Sequence, residues 1–144
     1  MLFIENSTQH TPDTQLLEAI ADTRTGRDIE LILVDDDAIR TLNRTHRDTD
    51  RATDVLSFPL EGEHPHQPLG TVVISLDHAQ AAAAQLGHTV DAEIALLFVH
   101  GLLHLLGYDH ESDTGQMRAL EAEILGQFDL PQSLIVRTEG GSNE

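Results

Sequence analysis

Residues 91–110 read DAEIALLFVHGLLHLLGYDH. From Ile94 to Leu106 every position is apolar or glycine except His100 and His104. A segment apolar on nearly every side is expected to be a helix at the centre of its domain, covered by a sheet and other helices. It should begin near Asp91 and end at Gly107, where glycine supplies the left-handed backbone common just past a helix C-terminus. The run falls short of the roughly 20 residues that span a bilayer. It reads as a core element, and no membrane partner is expected.

Around this helix, strands and helices alternate. Leu2-Phe3-Ile4 begins a short strand, and Thr11-Pro12-Asp13 starts a helix whose apolar face is Leu16, Leu17 and Ile20. Ile29 to Val34 is rich in β-branched residues and leucine, and short enough for a strand. One of Asp35, Asp36 and Asp37 then caps a helix with Ile39 and Leu42 on its buried side. Asp54 to Phe58 reads as a third strand stopped by Pro59, and Thr71 to Ser75 as a fourth opened by Gly70. Asp77 should cap an alanine-rich helix ending near Gly87. A last helix, about Thr114 to Gln127, carries Met117, Leu120, Ile124 and Leu125 on a buried stripe, with Glu121 and Glu123 outside. This pattern implies an α/β (α+β-like) layer architecture. Residues 1–137 are expected to form one domain, and residues 138–144 a flexible tail.

The chemistry lies in the histidines. His100 and His104 are four residues apart, so on a helix their rings stand about 40° apart around the axis and about one turn apart along it. Both can reach one ion. Gly107 ends the helix and lets the chain bend, so that His110 can return toward the same point. Two imidazoles among Leu, Val, Phe and Ile otherwise leave four ring nitrogens to satisfy, at about 1–3 kcal/mol for each one unmatched. A lone histidine on an apolar face is ordinarily a hydrogen-bonded core residue; three together favour a shared divalent ion. The chain has no cysteine, so the site must be built from imidazole and carboxylate, and zinc is the expected metal. Three ligands and one open position suit hydrolysis, whereas a structural zinc takes four protein ligands. Asp109 is placed either as a fourth ligand or to orient a ligand histidine. The zinc peptidase motif H-E-x-x-H carries its general base where this chain has Gly101, so the metal or the substrate must supply the nucleophile.

Charge narrows the partners. The formal net charge of −17 disfavours nonspecific attraction to nucleic acid, which counts against an RNA or a DNA partner, and DNA is not expected. All eight positive charges are arginine, and four of them, Arg40, Arg44, Arg47 and Arg51, fall along one helical face. That face is either solvated and paired with Asp48 and Asp50 or part of a ligand surface. Asp54 and Ser57 can face the site from the third strand, and His46 can line the cleft beside Arg47. His64 and His66 read as loop surface; His10, His78 and His88 are assigned no chemistry. The N-terminal MLFIENSTQH lacks the features of a targeting signal, so a cytoplasmic location is expected.

The segment from His100 to His110 resembles the signature of the YbeY endoribonucleases, the bacterial rRNA maturation factors. A second block, Asn43 to Arg47 and Thr53 to Pro59, is similar to that family's other recurrent stretch, and the likeness continues through Leu69-Gly70 to about Leu125. The resemblance implies a small mixed four-stranded sheet with several helices and a central zinc-binding helix. It further implies metal-dependent cleavage of single-stranded RNA in maturation of the 16S rRNA 3′ end and in ribosome quality control. His100, His104 and His110 match the family's metal ligands, and Arg47 its functional arginine. The ribosomal small subunit and an Era-type GTPase are the implied partners. One departure stands out: family members often carry aspartate after the glycine where this chain has Gly70-Thr71. Two other readings fit the residues alone: a non-catalytic ribosome-assembly factor with structural zinc, and a small zinc amide or peptide hydrolase.

Overall fold

The computed structural model describes residues 1–60, 66–109 and 112–130. His64, His110 and the tail from 138 onward lie outside the described residues. The strands are β1 (Leu2–Asn6), β2 (Ile29–Val34), β3 (Val55–Pro59) and β4 (Gly70–Ser75), and the helices α1 (Thr14–Asp22), α2 (Asp36–Arg47), α3 (Leu76–Leu86), α4 (Val90–Leu105) and α5 (Gln116–Gln127). The sheet order is β1-β2-β4-β3. The first three strands are parallel and β3 runs antiparallel to β4, so the sheet is mixed, as expected.

Strand alternation divides the sheet into two faces. Leu2, Ile29, Leu31, Leu33, Val72 and Ile74 join α1, α3, α4 and α5 in the main core. On the opposite face Val34, Leu56 and Val73 pack beneath Ile39 of α2 in a smaller cluster. Helix α4 is therefore enclosed by the sheet on one side and by helices on the others. Phe98, Leu96, Leu97, Leu102 and Leu103 are completely buried. Each such side chain contributes about 1.5–3 kcal/mol by leaving water, which makes α4 the element around which the domain condenses. No single helix among the described residues is long and apolar enough to cross a membrane.

The helix starts follow from short polar side chains that accept otherwise unmatched backbone N–H groups. Asp13 caps α1 through Leu16 N (3.2 Å), Asp35 caps α2 through Ala38 N (2.9 Å), and Thr89 caps α4 through Ala92 N (3.0 Å). Helix α3 differs from expectation. Its cap is Ser75, bonded to His78 N at 3.2 Å, while the Asp77 side chain accepts from Asp36 N of α2 at 2.8 Å. In return Asp36 accepts from the Ser75 hydroxyl and pairs with His78 Nδ1, each at 2.6 Å. The two helix N-termini, side by side at the ends of β2 and β4, thus lock each other.

Pro59 does not stop β3 but ends it from within. The strand lies at the sheet edge, where a missing N–H breaks no ladder bond. Helix α5 starts two residues later than its sequence suggests, because Asp113 accepts from both Gly115 N and Met117 N and holds Thr114 and Gly115 outside the helix.

Gly101 explains how close α4 comes to the sheet. A Cβ there would lie 2.7 Å from Val72 Cγ1 and 3.2 Å from Ser57 Oγ. Alanine at this position gains about 1 kcal/mol of helix propensity but must push α4 off β4, and overpacking of this kind costs about 1–3 kcal/mol. We expect Gly101→Ala to lower the melting temperature, and Gly101→Ala combined with Val72→Ala to recover part of that loss. Additive losses in a thermal-denaturation double-mutant cycle would disprove the contact.

Candidate active site

Helix α4 carries the two histidines at its C-terminal end, where the apolar core opens. His100 is 9% exposed and His104 is intermediate. Their rings meet edge to face, with centroids 4.7 Å apart, and the two Nε2 atoms lie 3.2 Å from each other. Two nitrogens each about 2.0–2.1 Å from one tetrahedral ion would stand about 3.3–3.4 Å apart. The separation of the pair is therefore close to that of two ligands on one such ion.

Beyond His104 the helix closes with paired bonds from Gly107 N to His104 O and from Tyr108 N to Leu103 O, both 3.0 Å. This is the paired 5→2 and 6→1 pattern of a glycine-terminated helix. Gly107 sits at φ +99°, where a side chain would be strained. The chain turns there toward Asp109, whose carbonyl receives Ser112 N and Asp113 N. His110, the third expected ligand, lies outside the described residues, and among those described no three His, Asp or Glu side chains gather as a metal cluster.

Glu121 is the site residue that sequence reasoning placed wrongly. Instead of facing solvent it is completely buried, with Oε2 2.8 Å from His100 Nδ1. The reason is positional: 121 follows Met117 by four residues and precedes Ile124 by three, so it shares their face against α4. An acidic residue in the middle of an apolar stripe was the available signal. The carboxylate accepts the Nδ1–H and so leaves the Nε2 lone pair toward His104, the tautomer a metal ligand needs. Glu123, one step round the helix, is exposed as expected and pairs with Arg24 at 2.6 Å.

The arginine face divides. Arg40 and Arg44 reach Asp50 at 2.8 and 3.7 Å, and the Arg40 guanidinium holds the Asp50 carboxyl below its usual range. This half is a solvated ion-paired surface. Asp48 instead ends α2 in the left-handed conformation. Arg47 turns the other way: its guanidinium donates to Ser57 O and lies 5.5 Å from the centre of the Phe58 ring, against which His46 packs edge-on at 5.3 Å. Ser57 Oγ in turn donates to Gly101 O at 3.2 Å. Two hydrogen bonds thus connect Arg47 to the backbone beside His100. Asp54 bonds Val55 N at the start of β3 and is not brought to the histidines.

The remaining described histidines have structural partners. His10 pairs with Asp91, His78 with Asp36 and His88 with Glu93, while His66 is exposed in a turn. Thr71 bonds Glu30 at 3.0 Å on the sheet face turned away from α4, beside a cavity of about 310 Å³ also lined by Phe3 and Leu60. The side chain after Gly70 thus lies on the opposite face of the sheet from α4 and its histidine pair.

The Endoribonuclease YbeY family model matches residues 4–129. A protein of Nautilia profundicola called Endoribonuclease YbeY is 55% identical over 139 residues, covering 96% of this chain and 99% of its own length. A Helicobacter pylori protein of the same name is 56% identical with the same coverage. A solution structure of a Thermotoga maritima protein superposes with a TM-score of 0.58 at 27% identity, over 90% of this chain and 92% of that one. With the match running over nearly all of the described residues, the chain belongs to the endoribonuclease YbeY family.

Proposed function

We propose that this protein is a zinc-dependent endoribonuclease for single-stranded RNA, with His100, His104 and His110 as metal ligands and Arg47 as the residue that meets the scissile phosphate. The observation that carries the reading is the convergence of two imidazole Nε2 atoms at 3.2 Å beside a carboxylate-held Nδ1. A divalent ion held there would supply Lewis acidity at a phosphodiester oxygen. The rest falls to the chain. Arg47 presents a planar fork of donors to the phosphate and stabilises the charge that develops as the bond breaks. His46 and Phe58 offer an aromatic surface for an unpaired base, a contact that does not depend on the protein's overall charge. Apolar α4 keeps water from the buried side of His100.

The packing of Gly101 argues against peptide hydrolysis by the H-E-x-x-H route, because the position of that motif's glutamate is pressed against Val72 and Ser57. The setting we propose is 16S rRNA 3′-end maturation, with the ribosomal small subunit and an Era-type GTPase as partners. The charge of −17 favours this setting, in which a ribosomal partner presents the RNA.

Purified protein should contain one zinc per chain by metal analysis and cleave a single-stranded RNA oligonucleotide. Arg47→Glu should lower the rate by about 10²-fold or more, and His104→Ala should lose both activity and metal. Equal rates in all three proteins would remove the proposal. Zinc that raises the melting temperature without any turnover would establish a structural metal in a non-catalytic assembly factor.

RNA affinity should also depend weakly on salt. Each phosphate contact contributes a slope of about −0.7 in log K against log salt for a single strand, so one or two contacts around Arg47 predict a slope of about −0.7 to −1.4 in a filter-binding titration. A slope beyond about −4 would require a cationic surface this reading does not contain.

A further inference from the structure

We propose that Glu121 is a positioning residue for the metal, and that through it the docking of α5 against α4 is coupled to metal loading. The inference rests on His100 and His104 being ligands. Glu121 comes from a different helix than the histidine it holds, and its other companions on the buried face of α5 are Met117, Ile124 and Leu125. A carboxylate with 0% exposure among such side chains is unfavourable unless a hydrogen bond and an opposite charge compensate it. His100 Nδ1 supplies the bond at 2.8 Å. A cation at Nε2, across the same ring and on the side facing His104, would add a favourable charge to that carboxylate's surroundings.

The carboxylate also fixes which ring nitrogen keeps its lone pair and the plane in which it points. Groups that hold a ligand imidazole in this manner contribute about 10- to 100-fold to metal affinity. Coupling free energies are reciprocal. Whatever Glu121 adds to metal binding, the metal adds to the seating of α5, so the loaded protein should hold residues 116–127 more tightly than the metal-free one.

The test uses the full chain and zinc alone. Zinc affinity is measured by competition with a chromophoric chelator for the wild type and Glu121→Gln, which keeps the shape and removes the charge. Amide hydrogen exchange in α5 is followed with and without zinc. We expect about 10- to 100-fold weaker zinc binding by the variant, a metal-free melting temperature no lower than that of the wild type, and zinc-dependent protection of α5 that shrinks in the variant. A purely structural role would lower the stability of loaded and metal-free forms alike and leave zinc affinity unchanged, and that result overturns the proposal. Should Glu121→Gln fail to fold, α5 exchange in the wild type decides alone: identical protection with and without zinc overturns the coupling. A wild type that binds no zinc overturns the metal-centre reading itself, whereas equal zinc affinity in wild type and variant removes only the role of Glu121.

Discussion

The ring nitrogens of His100 and His104 must be satisfied inside a helix whose other buried positions are almost all hydrocarbon. One Nδ1 is met by Glu121, and the two Nε2 atoms are turned to each other. This requirement explains why α5 packs against the C-terminal half of α4 with a buried acid. Just beyond His104 the helix ends at Gly107, whose positive φ turns the chain. The core provides rigidity, and the imidazoles provide a direction in which that rigid element points.

Much of this arrangement was legible in the order of residues. The period and length of Ile29 to Val34 define a strand with the boundaries observed, and the unbroken apolar character of Ile94 to Leu106 announced a central helix because no helix face remains for water. Asp35 and Gly87 behave as cap and stop by local chemistry alone. What escaped sequence reading depends on partners distant along the chain. Asp77 looks like the cap of its own helix, yet its carboxylate crosses to α2 because β2 and β4 are adjacent and bring the two N-termini together. Glu121 looks like surface because glutamate usually is; its place on the stripe of Met117 and Ile124 turns it inward, and its partner 21 residues upstream accounts for an acid there.

The arginines show how function separates from ordinary surface. Arg40, Arg44 and Arg47 share a helical spacing, but Asp50 folds back onto the first two and leaves Arg47 to lean over β3. In an acidic protein such selection matters: a cation already paired with an exposed carboxylate has less to offer a phosphate. Serine 57 makes the division useful, since its carbonyl orients Arg47 while its hydroxyl touches α4 beside His100.

The edge position of β3 has a consequence for association between molecules. An edge strand invites pairing with another chain through its unmatched backbone groups. Here Asp54 occupies Val55 N, Arg47 occupies Ser57 O, and Pro59 has no donor to give. The guanidinium of Arg47 thereby helps to blunt a surface on which intermolecular sheets would otherwise grow, so removing that side chain would uncover an acceptor on the sheet edge.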